Sequence, residues 1–161
     1  MNNLIEIAQK QRAYSKVLAK KPLEYRLQKL QNLREALKGE WQHKLAQAMK
    51  ADFNKGEGEV RLTEILPTLD NIKILRSNLK KWIRPIKVKT PIMLLGSTSY
   101  TEVQPKGNVL IISPWNYPIF LTLQPLTNAI AAGNTVIMKP SEHTPETSRV
   151  MAELIRSIFS E

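Results

Sequence analysis

Two short apolar runs, separated by a segment long enough for one helix, constrain the fold of this chain most. Val109-Leu-Ile-Ile112 is a continuous apolar run, as expected for a parallel strand covered on both faces. Two prolines in Ser-Pro-Trp-Asn-Tyr-Pro (113–118) remove backbone donors and fix φ, so the strand cannot continue. A crossover helix is predicted from Ile119 to Ala132, with Gly133 as its terminator, and a second strand from Thr135 to Met138. The chain therefore contains part of an α/β fold built from a βαβ unit.

The first 84 residues place apolar side chains at helical spacing, which usually indicates packing into a core. Pro67 lies inside one of these runs and predicts a kink or an internal helix start. After the second strand, Thr144, Pro145 and Glu146 predict the beginning of a closing helix that runs to about Ser160. The apolar stripes are Leu4, Ile7, Gln11, Tyr14 and Leu18; Leu23, Leu27, Leu30, Leu33 and Leu37; Trp41, Leu45, Ala48 and Met49; and Leu62, Ile65, Leu66, Leu69, Ile72 and Leu75.

Between residues 85 and 105 the period of the pattern changes. Two extended runs, at roughly 87–95 and 97–103, predict a β-hairpin outside the main sheet. So short a hairpin is not stable unaided, so we expect it to pack on a neighbour or serve as an oligomerisation arm. The chain thus divides into an N-terminal helical segment (1–84), the hairpin (85–105) and an incomplete Rossmann-like unit (106–161).

Polar residues follow both predicted strands of the βαβ unit. Ser113 to Asn116 come after the first strand, and Lys139 to Glu142 come after the second. In a parallel α/β sheet, ligands bind beyond the carboxyl ends of the strands, so we expect these two groups to form one site. The glycine-rich GxGxxG pattern of dinucleotide-binding turns does not occur. This motif therefore gives no support to a dinucleotide site.

Composition excludes several kinds of chemistry. The chain has no cysteine, and therefore no disulfide, thiolate metal site or cysteine nucleophile. His43 and His143 lack partners at metal-ligand spacing, so we expect no metal site. No run approaches the roughly 18 apolar residues that span a bilayer, and the first residues do not form a secretory signal, so we expect no membrane span and a cytoplasmic location.

The net charge of +10 is concentrated in the first part of the chain. Such a charge could attract nucleic acid or an acidic membrane surface, but basic residues spaced through amphipathic segments are also typical of solvated helix faces. The one local basic and aromatic patch is Lys-Lys-Trp-Ile-Arg (80–84), which Pro85 ends. Nucleic-acid binding is the weakest of the alternatives, because it would leave the residue pattern from Val103 to Ser148 unexplained.

The chain resembles the N-terminal part of the NAD(P)-dependent aldehyde dehydrogenase superfamily, most closely the class acting on fatty, aromatic or coniferyl-type aldehydes. The motifs that carry the resemblance are Ser-Pro-Trp-Asn-Tyr-Pro (113–118), Ala-Ala-Gly-Asn-Thr-Val (131–136) and Lys-Pro-Ser-Glu (139–142). The helical half agrees, in Ala-Asp-Phe-Asn-Lys (51–55), Glu-Val-Arg-Leu-Thr-Glu-Ile (59–65) and Lys81-Trp82.

The resemblance implies a catalytic role for one residue. Asn116 resembles the family's oxyanion-hole asparagine, whose amide N–H groups stabilise charge on the aldehyde oxygen. The alternative is an asparagine that caps the turn.

Cofactor-binding roles follow from the same resemblance. Lys139 and Glu142 resemble the residues that bind the adenosine ribose, and the lysine leaves NADP possible beside NAD. Ile112, Ser113 and Trp115 would line the cofactor groove, with Ser141 as a further candidate. The alternatives are that Lys139 solvates a strand end, that Glu142 faces the dipole of the next helix and that Trp115 is a packing anchor.

The resemblance also implies what this chain does not contain. Members of the family use a cysteine nucleophile and a glutamate, in a region beyond residue 161. We therefore expect a truncated dehydrogenase with weak or absent NAD or NADP binding and no activity alone. The alternatives are a partner that complements a catalytic C-terminal chain, an interaction module built on the helices and the hairpin, or a basic nucleic-acid binder.

Overall fold

The structure, a computed structural model, describes residues 2–159. Three helices open the chain: α1 (Asn2–Leu18), α2 (Leu23–Lys38) and α3 (Glu40–Phe53). The stripes predicted on α2 and α3 do face the core, since Leu30, Leu33, Leu37 and Leu45 are fully buried. The stripe on α1 differs, because Leu4, Ile7 and Tyr14 remain exposed to solvent.

The helical run that contains Pro67 changes its winding before the proline. A short helix α4 (Glu57–Val60) passes into a π-helical turn (Arg61–Ile65) and then into α5 (Leu66–Trp82). A proline removes one hydrogen bond of the preceding turn, and a π turn accommodates that loss. The wider turn also rotates the buried face: Leu62, which we predicted in the core stripe, is 66% exposed, whereas Glu64 is fully buried.

The predicted hairpin is present but shorter than expected. Strands β1 (Ile86–Val88) and β2 (Ser99–Thr101) pair antiparallel, with Lys87 opposite Tyr100. The predicted strands at 87–95 and 97–103 were too long, because Ile92–Leu94 form a 3-10 turn between β1 and β2. Gly96 has a φ of 93°, which reverses the chain before β2.

The βαβ unit forms as predicted. Strand β3 (Asn108–Ile112) pairs in parallel with β4 (Thr135–Lys139), and α6 (Pro118–Ala131) connects them. Gly133 ends α6 with a φ of 85°, and the N–H groups of Gly133 and Asn134 donate to the carbonyls of Ile130 and Ala129. The α/β fold expected from the sequence is confirmed.

The closing helix α7 (Pro145–Ile158) packs against α3, while α5 and α2 pack against α6. Its predicted end near Ser160 lies outside the described residues. One hydrophobic cluster contains Leu33 and Leu45 from the N-terminal helices together with Ile119 and Leu154 from the last third of the chain. Within residues 2–159, no helix combines the length and apolar character needed to cross a bilayer. The division at residues 84 and 105 stays a prediction.

Candidate functional site

The carboxyl ends of β3 and β4 lie side by side. Ile112, the last residue of β3, is in register with Lys139, the last residue of β4. The pairing continues one residue further, because the Ser113 N–H donates to the Lys139 carbonyl over 3.2 Å. The parallel register thus brings the two predicted polar groups to the same edge of the sheet, as the sequence indicated.

At the end of β3, apolar side chains face solvent, whereas the hydroxyl of the next residue, Ser113, is buried. Ile112 is 71% exposed and Trp115 is 55% exposed. Ser113 is buried, and its hydroxyl shares a 2.7 Å hydrogen bond with that of Thr122 in α6. The Trp115 ring lies 6.4 Å from the ring of Phe53 at the end of α3, centroid to centroid. Packing against Phe53 holds Trp115 in place but leaves much of it accessible to a ligand.

Asn116 lies in the turn between β3 and α6 and is exposed. Within residues 2–159, its carboxamide takes part in no hydrogen bond of the structure. A turn-capping asparagine would donate to or accept from a nearby backbone group. The structure therefore leaves both amide N–H groups of Asn116 free to donate to something outside the chain.

The end of β4 carries a pair of opposite charges. Lys139 Nζ donates to Glu142 Oε2 at 2.5 Å, and both side chains are more than half exposed. The hydrogen bond from Lys139 holds the pKa of Glu142 below its ordinary value of 4.5. Lys139 thus offers a donor at the end of β4, and Glu142 offers an acceptor three residues later, in the loop before α7.

Ser141 and the start of α7 are organised by bonds within the chain. Ser141 is buried, and its hydroxyl accepts the N–H of His143 at 3.2 Å. The first N–H groups of α7 at Glu146 and Thr147 donate to the carboxylate of Asp52 at 3.2 and 2.8 Å. Asp52, rather than Glu142, is the acid that caps this helix.

Sequence reasoning assigned no role to Glu64, which supports the Asn116 turn. One oxygen of its fully buried carboxylate accepts the backbone N–H groups of Ile119 and Phe120 at 2.8 and 3.4 Å. The other oxygen accepts Lys55 Nζ at 2.8 Å. A carboxylate inside an apolar helical run indicates a buried partner, and that was the available sequence signal.

Lys55 connects the same network to the turn. Its ammonium lies 4.5 Å from the centroid of the Tyr117 ring, in a cation–π contact. Tyr117 follows Asn116 directly and has a φ of 49°, a left-handed conformation that few non-glycine residues adopt. Glu64 thus contacts the start of α6, and Lys55 contacts the residue beside Asn116.

A cavity of about 860 Å³ lies elsewhere, between α1, α2, α6, β4 and α7. Two basic side chains that line this cavity bind the ends of helices. Arg26 donates to the Ala131 carbonyl and Lys29 donates to the Ile158 carbonyl, both at 2.8 Å. These bonds cap the C-termini of α6 and α7, so the cations have a structural role there.

Other proteins share this sequence pattern. The family model described as "Aldehyde dehydrogenase family" matches residues 1–159. The 4,4'-diaponeurosporen-aldehyde dehydrogenase of Staphylococcus aureus is 43% identical over 139 residues, which are 86% of this chain and 30% of that protein. A probable coniferyl aldehyde dehydrogenase of Pseudomonas aeruginosa is 40% identical over 137 residues, which are 84% of this chain and 29% of that protein.

Solved structures agree with the sequence comparisons. The substrate-bound state of Staphylococcus aureus AldH superposes with a TM-score of 0.89 at 40% identity, covering 97% of this chain and 34% of that one. The NADP complex of NADP-dependent glyceraldehyde-3-phosphate dehydrogenase from Bacillus halodurans gives a TM-score of 0.85 at 22% identity, covering 99% of this chain and 33% of that one, and shows the shared fold alone. The chain spans about 30% of the length of its curated relatives. The family match over residues 1–159, together with these identities, shows that the chain belongs to the aldehyde dehydrogenase family.

Proposed function

We propose that this chain forms the N-terminal part of an NAD(P)-dependent enzyme that oxidises an aldehyde to a carboxylic acid. The observation that carries the proposal is the parallel register of Ile112 with Lys139, which unites the two polar strand ends at one edge. Ligands of open α/β sheets bind at this edge. Membership of the aldehyde dehydrogenase family supports this class of reaction. Because the chain spans only about 30% of its relatives' length, the activity of the whole protein is a proposal.

The exposed strand-end residues fit a dinucleotide. Lys139 and Glu142 offer a charged donor and an ionised acceptor to the hydroxyl groups of a ribose, and the lysine also suits a 2′-phosphate. Ile112 and Trp115 offer apolar surface to the rest of the cofactor. When bound, NAD or NADP supplies the hydride acceptor for aldehyde oxidation.

The two buried serines play a different part in this proposal. The hydroxyls of Ser113 and Ser141 are engaged within the chain. Ser113 therefore contributes backbone to the groove, and Ser141 shapes the loop that carries Glu142.

Asn116 supplies the catalytic group of this chain. Attack on an aldehyde carbonyl places negative charge on its oxygen, and a fixed amide N–H stabilises that charge without changing protonation state. The carboxamide of Asn116 is exposed and makes no hydrogen bond within residues 2–159. The Glu64 and Lys55 contacts hold Ile119 and Tyr117, so the backbone that follows Asn116 is fixed.

The chain needs a second polypeptide segment for turnover. It contains no cysteine, so it cannot form the covalent adduct that the family's reaction implies. We infer that the 161 residues alone bind NAD or NADP weakly and do not oxidise aldehydes. The missing nucleophile would come from a C-terminal segment or a complementing chain. The β1–β2 hairpin as a homo-oligomer contact and a cytoplasmic location stay predictions.

An NMR titration of the ¹⁵N-labelled chain with NAD and with NADP tests the site, because it detects weak binding residue by residue. The expected result is a set of shift changes confined to residues 112–116 and 139–142. Lys139→Gln should weaken the binding of NADP more than the binding of NAD. The exposed control Lys38→Gln should weaken the binding of neither cofactor. Shift changes centred on the cavity beside α1, or none at any concentration of cofactor, would contradict the proposal.

A further inference from the structure

The end of helix α3 lies beside both polar groups of the candidate site. We call residues Asp52 to Lys55 the α3 end. Asn54 has a φ of 55°, and its N–H donates to the Lys50 carbonyl at 2.8 Å. Asparagine adopts this left-handed conformation more readily than most residues, and such a residue commonly ends a helix. The helix therefore stops at Phe53, and the side chains on either side of Asn54 contact different residues of the site.

Two side chains of the α3 end contact the turn that follows β3. The ring of Phe53 lies 6.4 Å from the ring of Trp115, and the two planes are tilted by 44°. Tilted aromatic pairs at this distance attract each other beyond the area that they bury. Lys55 Nζ lies 4.5 Å from the centroid of the Tyr117 ring. The residues immediately before and after Asn116 are therefore both held by the α3 end.

A third side chain of the α3 end acts on the other strand-end group through α7. Asp52 accepts two backbone N–H groups in the first turn of α7. The hydroxyls of Thr144 and Ser148, at the start of the same helix, both donate to the Ser141 carbonyl, at 3.2 and 3.3 Å. Ser141 directly precedes Glu142 in the loop between β4 and α7. The start of α7 therefore ties this loop to the α3 end.

We propose that the α3 end positions both halves of the cofactor site, with Phe53 holding Trp115 and Asp52 holding the loop of Glu142. This rests on the proposed function, because it takes the two strand ends to bind one dinucleotide. A ligand that spans two groups binds more tightly when their separation is already fixed, since it does not have to order them itself. Phe53 and Asp52 are positioning residues, because they act through Trp115 and α7 and do not contact the cofactor.

Cofactor titrations of the ¹⁵N-labelled chain test the proposal, with adenosine monophosphate (AMP) as a probe that contains only the adenosine half. Phe53→Leu should weaken the binding of NAD by about two- to tenfold, the range that the energy of an aromatic pair allows. The same variant should leave the binding of AMP unchanged, because Trp115 is proposed to contact the rest of the cofactor.

Asp52→Ala should weaken the binding of NAD and of AMP alike, because AMP contains the ribose that Lys139 and Glu142 are proposed to bind. Asp52→Asn should restore part of the binding of both, since its amide oxygen still accepts a backbone N–H. A difference between the two probes in one variant, and none in the other, is a result that a general loss of stability would not give.

Mobility in the absence of cofactor measures the positioning directly. The indole N–H signal of Trp115, identified by its loss in Trp115→Phe, should have the ¹H–¹⁵N heteronuclear NOE of a rigid group. Phe53→Leu should lower this NOE, whereas Asp52→Ala should leave it unchanged. Asp52→Ala should instead lower the NOE of the Glu142 backbone amide.

Matched controls separate positioning from loss of stability. Phe159→Leu replaces another partly buried phenylalanine, and Gly133→Ala strains the backbone just before β4, at the opposite end of the sheet. Both should leave the binding of NAD and the NOE of Trp115 unchanged. Equal binding of NAD by Phe53→Leu and the unchanged chain would overturn the proposal. So would a loss of NAD and AMP binding by the same factor in Phe53→Leu.

Failure of the proposed function gives a different result. An unchanged chain that binds neither NAD nor AMP would contradict the proposed function. The NOE values of Phe53→Leu and Asp52→Ala would then still support or overturn the positioning, because they are measured without cofactor.

Discussion

Replacing Glu64 by alanine should destabilise the chain more than any other removal of a single carboxylate. The side chain is fully buried and joins three elements through Lys55 on one oxygen and the start of α6 on the other. Alanine would leave the Lys55 ammonium, 12% exposed, without its nearest carboxylate. It would also leave the Ile119 N–H without an acceptor in a buried position.

The magnitude follows from these partners. Removing one member of a buried ion pair costs about 3–5 kcal/mol, because the other charge stays desolvated. Since a domain is stable by only about 5–15 kcal/mol, Glu64→Ala should remove a large part of the total. For a chain of this size, the loss corresponds to a Tm decrease of roughly 10 °C. Glu64→Gln should reduce the free energy of unfolding by less, since an amide oxygen still accepts hydrogen bonds from one of the two sets of donors.

Urea unfolding, followed by circular dichroism, measures these differences in the free energy of unfolding. The matched control is Glu59→Ala: this carboxylate lies 3.9 Å from the same ammonium but is 61% exposed, so its loss should cost less than about 1 kcal/mol. If Glu64→Ala and Glu59→Ala destabilised the chain equally, the buried network would not be the support of the Asn116 turn that we infer.

Three further predictions concern the same framework. Asp52→Ala removes the carboxylate that caps α7 and should lower the free energy of unfolding by about 1–2 kcal/mol, whereas the exposed Asp70→Ala should change it by less than about 0.5 kcal/mol; a denaturant series compares them. Gly133→Ala places a Cβ at a φ of 85° and 3.3 Å from Arg26 Nη1, and should cost about 1–2 kcal/mol by the same assay. Lys139→Gln should raise the pKa of Glu142 toward 4.5, as seen by carboxyl NMR titration. Because the folded-state pKa is lowered, the pair stabilises the chain above pH 4.5, and this contribution is lost as the pH falls through the lowered pKa.

Local sequence rules located the βαβ unit well. A continuous apolar run, two prolines and a terminal glycine each act within a few residues, so β3, α6 and β4 begin and end within a residue or two of the prediction. The parallel pairing that unites Ser113–Asn116 with Lys139–Glu142 follows from the crossover helix. The position of the candidate site was therefore accessible from the sequence.

What the sequence did not reveal depends on wider context. The π-helical turn at Arg61–Ile65 shifts the buried face, so a count of helical periods places Leu62 inside and misses Glu64. The contacts of Glu64 with Ile119 and of Asp52 with Thr147 join residues 55 and 95 positions apart. No local pattern encodes such pairs. The predicted hairpin strands were too long, because the apolar residues of a 3-10 turn have the same sequence pattern as a short strand.

In the proposed function, Asn116 and the strand-end residues of this chain form one wall of an aldehyde-oxidising site. The most direct test is a chimera in which this chain replaces the matched region of the 43% identical Staphylococcus aureus relative, assayed for aldehyde-dependent reduction of NAD or NADP. We expect turnover by the chimera, a decrease in kcat of about 10²–10³-fold for Asn116→Ala, and no change for the exposed control Asn32→Ala. A folded, cofactor-binding chimera with no turnover, or one in which Asn116→Ala keeps full kcat, would contradict it.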